Sequence, residues 1–218
     1  MSQPWTHTAG AAAYPRVNEH YVEPVWVSER LFEEEHFTGD IYDPACGFGR
    51  IIESAVKAGY LAHGADLVDR RGRGDVQDFL LNNITTPNNI VSNPPFDIFE
   101  EFAKHALKRA RNKVALIMPT ARLNAARWLE ELPLRRVWLL TPRPSMPPGS
   151  VITSGGKVGG GKSDYAWLVF DHSFANAPKI TEMKWMHRDV PRKGNVRGAD
   201  RNRTTAPDRH ARAYATGG

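Results

Sequence analysis

The chain has one cysteine, Cys46, in 218 residues. A lone thiol excludes a disulfide framework and any cysteine-rich metal site, and it makes a reducing compartment the expectation. No apolar run approaches the roughly 20 residues that a helix needs to span a bilayer. The first residues lack the basic-then-apolar order of a signal peptide, so the expected location is the cytoplasm. The eight histidines are scattered, and none pairs at ligand spacing with a carboxylate, so no metal site is expected. Internal repeats are missing too. The remaining composition, 41% hydrophobic and 24% charged, is that of an ordinary globular domain, and the length suits one α/β domain with a real core.

Charge is present but unevenly placed. The net charge is +5, and residues 187–218 hold eight Arg/Lys against three Asp, so this stretch carries the whole excess. It has almost no large apolar residues and cannot offset its ordering entropy, which predicts a disordered basic tail. Such a tail suits phosphate backbones without reading sequence, or simply keeps the chain soluble. Residues 1–20 are polar and small and read as a flexible leader. Between them, 21–186 read as the single folded domain.

Within that domain short apolar runs alternate with helical patterns. Val25 to Phe37 has a helical period, with Val25, Val27, Leu31 and Phe32 on the apolar side and Glu33 to Glu35 on the polar side. Strands are predicted at Asp40–Pro44, Leu61–Asp66, Ile90–Asn93, Val114–Met118, Val137–Leu140 and Ala166–Phe170. Helices are predicted at Arg50–Ala58, Asp97–Arg111 and Ala121–Glu131. The alternation implies an α/β fold: a Rossmann-like, doubly wound, mostly parallel sheet with helices on both faces. Ala166–Phe170 follows a long loop rather than a helix, so it is expected to run antiparallel. That loop, 141–163, is rich in Pro and Gly, and loops of this length are usually functional or disordered.

Two motifs carry chemistry. The first is Asp43-Pro44-Ala45-Cys46-Gly47-Phe48-Gly49-Arg50, at the end of a predicted strand. Its glycines let the backbone approach a ligand, and ligands of open α/β sheets bind at the carboxyl ends of strands. Ile52 stands where the dinucleotide fingerprint has its third glycine, so an adenosine ligand without a pyrophosphate fits better. Asp66 lies 17 residues after Gly49 and can accept both ribose hydroxyls, with Asp69 as the competitor if the strand ends later. Asp78-Phe79 reads either as a carboxylate and ring for an adenine, or as a helix cap and a core aromatic.

The second motif is Asn93-Pro94-Pro95-Phe96, after the buried run Ile90-Val91-Ser92. The prolines remove two backbone donors and leave carbonyls that only accept, and Asn93 adds a side-chain carbonyl. An aromatic amine is a poor nucleophile because its lone pair is delocalised into the ring. Two acceptors on its N–H bonds would draw the nitrogen toward tetrahedral geometry, and Phe96 can stack on the base for roughly 1–3 kcal/mol. That offsets much of the few kcal/mol needed to take a base out of a duplex. Positioning and electrostatics would carry the rate.

These residues resemble the class I S-adenosylmethionine-dependent methyltransferases, specifically the N6-adenine DNA methyltransferases. Asp43 to Arg50 looks like their cofactor loop and Asn93 to Phe96 like their catalytic tetrapeptide, in an order similar to the gamma arrangement. The resemblance implies S-adenosylmethionine as cofactor, held by Tyr21, Asp43, Pro44, Ala45, Cys46, Gly47, Gly49, Asp66, Asp78 and Phe79. It implies that Asn93 and Pro94 hold the target amine, next to Pro95, while Phe96 stacks on a flipped base. Tyr21-Val22-Glu23-Pro24 resembles the family's Tyr-x-Thr-Pro element, with Glu23 in place of threonine. DNA is the implied partner, with phosphates met by Arg143, Lys157, Lys162 and the basic tail. Family members carry a separate target-recognition region that this chain has no room for, so a specificity partner is compatible with its size, and small solitary members are common in phages and prophages.

Competing readings remain open at this level. Glutamine methyltransferases of release factors and some RNA methyltransferases also carry Asn-Pro-Pro-aromatic, though often with Tyr last and without Pro-x-Cys in the loop. A binding protein on the same scaffold that no longer turns over is a third. Gly156 to Ser163 also matches the P-loop pattern, but an apolar strand-like run rather than a helix follows it, so no phosphate cradle is expected.

Overall fold

The computed structural model describes residues 20–70, 74–174 and 180–189. The leader before His20 and the tail beyond Asp189 lie outside them. The described chain runs α1 (Val25–Glu34), β1 (Ile41–Asp43), α2 (Arg50–Lys57), β2 (Ala62–Asp66), β3 (Asp75–Val76), β4 (Asn89–Ser92), α3 (Phe99–Arg109), β5 (Lys113–Pro119), β6 (Leu134–Thr141), α4 (Gly149–Thr153), β7 (Tyr165–Asp171) and β8 (Glu182–His187), with short 3-10 helices between some of these. The eight strands form one sheet in the order β3-β2-β1-β4-β5-β7-β6-β8. β1, β2, β3, β4 and β5 are parallel to their neighbours among themselves. β7 is antiparallel to both β5 and β6, as its loop connection predicts. The fold is a Rossmann-like, mostly parallel α/β sheet.

Side-chain alternation builds two cores from one sheet. On β5, Val114, Leu116 and Met118 join one core while Ala115 and Ile117 join the other; on β7, Ala166, Leu168 and Phe170 oppose Trp167 and Val169. α3 covers the first face with Phe99, Phe102, Ala103 and Ala106. α1 and α2 cover the second with Val27, Leu31, Ile51 and Ala55. Both faces are buried at the centre, which is why these strands read as continuous apolar runs. Among the described residues no helix is long and apolar enough to cross a membrane.

The structure departs from the sequence expectations in five places. Ala121–Glu131 is not an α-helix but two 3-10 turns, Thr120–Ala125 and Arg127–Glu131. Leu123, Ala126, Leu129 and Leu132 all pack on the core, and their spacing of three matches the 3-10 repeat rather than 3.6. β3 and β8, the two edge strands, are additions to the expected strands: β3 pairs parallel to β2, and β8 pairs parallel to β6, with Trp185 61% exposed. The 141–163 loop contains a short helix, α4. Finally, Glu35 is not on a polar face but 3% exposed. It accepts from Trp138 Nε1 at 2.8 Å and ion-pairs with Arg136 and Lys113. Burial pushes its carboxyl up, but these donors and charges more than cancel that and hold it below the usual range.

Candidate active site

A cavity of about 890 Å3 opens at the carboxyl ends of the parallel strands, toward the large end of small-molecule sites. It is lined by Asp66 after β2, by Asp78 and Phe79, by Asn93 to Phe96 after β4, and by Pro119 at the end of β5. Tyr21, Pro44 and Ala45 also face it, and the 141–163 loop roofs it with Pro144 to Pro148, Lys157 and Lys162. The carboxyl ends of neighbouring strands in one doubly wound sheet thus bring both sequence motifs to one hollow.

The first motif turns from β1 into α2. Gly47 and Gly49 have φ of 53° and 79°, the left-handed region that residues with a Cβ enter at a cost. Gly49 is the N-cap of α2. The Gly47 amide donates to Asp66 Oδ2 at 2.8 Å, and the Val68 amide donates to Asp66 Oδ1 at 3.1 Å. β2 ends at Asp66, and Asp66 rather than Asp69 lines the cavity. Arg70 Nε also reaches Asp66 Oδ1 at 3.4 Å, so among these bonds the carboxylate's remaining acceptor site is on Oδ2. Asp43, Cys46, Gly47 and Gly49 do not line the cavity; they shape the loop behind it. Asp43 is 1% exposed. Its Oδ1 accepts from Ser92 Oγ at 2.7 Å and from the Ala45 amide at 3.1 Å. Burial pushes its carboxyl up to about 8, reinforced by Glu23 and Asp66 and opposed by those two hydrogen bonds. Burial likewise pushes the Cys46 thiol up to about 12, so it is not a nucleophile at neutral pH.

Asp78 and Phe79 take the second sequence alternative, a cap and a core aromatic. Asp78 Oδ1 caps the 3-10 turn Phe79–Leu81 by accepting from the Leu80 amide at 3.0 Å. Phe79 packs in the core on Phe102 at 4.7 Å. Both also line the cavity.

At the second motif Asn93 Nδ2 donates to the Tyr21 carbonyl at 2.8 Å and to Glu23 Oε2 at 2.9 Å. Its Oδ1 and the Pro94 carbonyl have no hydrogen-bond partner among the described residues. Three aromatic rings rim this end: Tyr21 lies nearly parallel to Phe96, with centroids 6.4 Å apart, and Tyr165 lies 6.1 Å from Phe96. Arg122 Nη1 donates to the Phe96 carbonyl at 2.7 Å and fixes the turn.

Several wall residues carry no sequence signal. His20, at the edge of the polar leader composition, packs against Phe48 at 4.7 Å and abuts Gly149, where any Cβ would strike its ring. Its Nε2 is buried and has no hydrogen-bond partner among the described residues. Burial, helped by the Arg70 charge against that of Asp66, lowers the His20 ring to about 4, so it is neutral at pH 7. Residues 20–22 pair with the roof: the Gly149 amide donates to the His20 carbonyl at 2.8 Å and the Val22 amide to the Pro147 carbonyl at 2.9 Å. Of the expected phosphate contacts, Lys157 and Lys162 line the cavity, whereas Arg143 is outside it and ion-pairs with Asp164 at 2.7 Å. The P-loop match is excluded by geometry, because Lys162-Ser163 runs into strand β7 instead of a helix.

No family model matches the chain, and no curated protein matches it. Solved structures do. The M protein of the type I restriction enzyme EcoKI superposes with a TM-score of 0.53 at 12% identity, over 79% of this chain and 49% of that one. A tRNA (uracil-54, C5)-methyltransferase from Pyrococcus abyssi, in complex with S-adenosyl-L-homocysteine, gives 0.48 at 12% identity over 66% and 37%. Magnesium protoporphyrin IX methyltransferase from Synechocystis PCC 6803, with bound S-adenosylmethionine, gives 0.45 at 14% identity over 66% and 76%. The chain spans about half the length of the EcoKI protein. Identities this low establish the fold alone, a Rossmann-like α/β sheet like that of the EcoKI M protein.

Proposed function

We propose that this chain transfers a methyl group from S-adenosylmethionine to the N6 amino group of adenine in DNA. The observation that carries the proposal is the state of Asn93. Its amide nitrogen is tied back to Tyr21 and Glu23, and among the described residues its oxygen and the Pro94 carbonyl have no hydrogen-bond partner, while both residues line the cavity. Two adjacent acceptors and stacking aromatics in a cavity suit a planar amine. The M protein of a type I restriction enzyme has the same fold, which is compatible with a DNA substrate.

The cavity's own groups fit the cofactor. Asp66 offers a carboxylate for ribose hydroxyls, and Asp78, whose second oxygen has no partner among the described residues, lines with Phe79 the part of the cavity where the adenine would sit. Pro44 and Ala45, with His20 and Tyr21, line the cavity where the amino-acid part would sit. When bound, the cofactor supplies an electrophilic methyl group on a positively charged sulfur. Asn93 Oδ1 and the Pro94 carbonyl accept the two N–H bonds of the target amine and free its lone pair. Phe96 stacks on the base, and Pro95 stiffens the turn that holds these groups. No general base is needed before transfer. The rate comes from orientation and fixed dipoles. Lys157, Lys162 and the basic tail meet phosphates, which position without specifying.

The test compares wild type with Asn93→Ala, using calorimetry with S-adenosylmethionine and methyl incorporation into mixed-sequence DNA. Cofactor affinity should stay within about threefold, while transfer should fall by about 100-fold or more, as for loss of one preorganised polar group. Undiminished transfer by the variant would refute the assignment.

A further inference from the structure

A side-chain amide can lie either way round in its slot, and only one orientation of Asn93 serves the reading above. With Oδ1 outward it accepts from an amine. With Nδ2 outward it donates and would repel the amine's N–H bonds.

We propose that Glu23 is a positioning residue: by accepting from Asn93 Nδ2 it holds the amide with Oδ1 toward the cavity, and so tunes the site to an amino group rather than a carbonyl. This rests on the proposed function, which it deepens by naming what selects the substrate class.

The geometry supports it from three sides. Both partners of Nδ2, the Tyr21 carbonyl and Glu23 Oε2, are acceptors. A flipped amide would set Oδ1 against the Tyr21 carbonyl oxygen, lone pair against lone pair, at the 2.8 Å now bridged by a hydrogen. The Tyr21 carbonyl is an acceptor at every pH. Burial pushes the Glu23 carboxyl up, yet a protonated carboxyl keeps a carbonyl oxygen that accepts.

Glu23 is itself fixed. It is 6% exposed, its backbone carbonyl accepts from Arg50 Nη1 at 2.6 Å, and the neighbouring Val22 amide is bonded to Pro147. A carboxyl buried this deeply costs stability unless it is bonded. Its bond to Asn93 couples this short segment to the tetrapeptide 70 residues away.

The test uses the full chain with Glu23→Leu and Glu23→Gln. Two readouts are taken: methyl transfer together with cofactor affinity, and the side-chain NH2 signals of Asn93 by NMR, identified by their loss in Asn93→Asp. In Glu23→Leu turnover should fall about tenfold or more, the rate equivalent of a net hydrogen bond, with cofactor affinity nearly constant. The Asn93 NH2 proton hydrogen-bonded to Glu23 should lose its protection from solvent exchange, while the one bonded to the Tyr21 carbonyl keeps its partner. Glu23→Gln, which keeps an acceptor, should recover most of both. Wild-type turnover and protection in Glu23→Leu would overturn the proposal, and so would a Gln variant no better than Leu. The two claims fail separately. If wild type methylates no amine, the proposed function falls and the NMR result alone decides whether Glu23 orients Asn93.

Discussion

Replacing Asp43 by Asn should flatten the pH dependence of stability. Asp43 sits at the end of β1, 1% exposed, with a carboxyl pushed up to about 8 from an ordinary 3.8. Below the ordinary value the folded and unfolded chains both hold the proton, so nothing differs. Above it the unfolded chain loses the proton while the folded chain keeps it until about pH 8. The stability this group contributes is therefore present at low pH and lost as pH rises, at up to about 1.4 kcal/mol per pH unit. The clean window starts at pH 6.5. The His20 ring, lowered to about 4 from 6.5, acts only below that value, and Glu35 and Glu182, both lowered, act only in the carboxylate range. Integrating a single proton from pH 6.5 to 8 gives a loss of about 1.6 kcal/mol in wild type. Glu23, raised in the same direction, adds to it. Asn keeps an oxygen for Ser92 Oγ and the Ala45 amide and does not titrate. Scanning calorimetry at the two pH values should show the melting temperature of wild type falling about 3–6 °C more than that of Asp43→Asn. Equal falls would refute the claim that a buried neutral Asp43 drives the dependence.

Three further outcomes follow from the same groups. Glu35→Ala strips the buried partner of Arg136, Lys113 and Trp138, and should cost about 3–5 kcal/mol in denaturant unfolding, with cofactor affinity in the surviving folded fraction unchanged. Asp66→Ala should weaken S-adenosylmethionine binding by about 10- to 100-fold in calorimetry, the worth of one to two charge-assisted hydrogen bonds. Lys157→Ala with Lys162→Ala should lower the slope of log affinity for duplex DNA against log salt by about 0.9 for each phosphate left without its lysine, whatever the DNA sequence.

The sheet is legible because its central strands are buried on both faces and punctuated by glycine and proline at their carboxyl ends. All six strands read from the sequence are present within two or three residues, and Asp66 and Asn93 fall at strand ends where the spacing puts them. The 3-10 pair reads as one helix because Leu123, Ala126, Leu129 and Leu132 look helical unless the period is counted. β8 escapes detection because an edge strand, Glu182–His187, leaves much of its apolar surface exposed, with Met183 and Trp185 both open to solvent. The positioning role of Glu23 lies beyond the sequence: there it marks only a departure from threonine, and the bond to Asn93 exists only once the chain has folded. His20 escapes for the same reason, since nothing local distinguishes it from the residues before it.

The central claim is the product. The most direct measurement incubates the purified chain with methyl-labelled S-adenosylmethionine and separate pools of duplex DNA, single-stranded DNA, RNA and cell protein, then digests each pool and identifies the methylated species by mass spectrometry. The account predicts N6-methyladenine from a DNA pool. Label found only in RNA or protein, or none anywhere from protein that binds the cofactor, would contradict it.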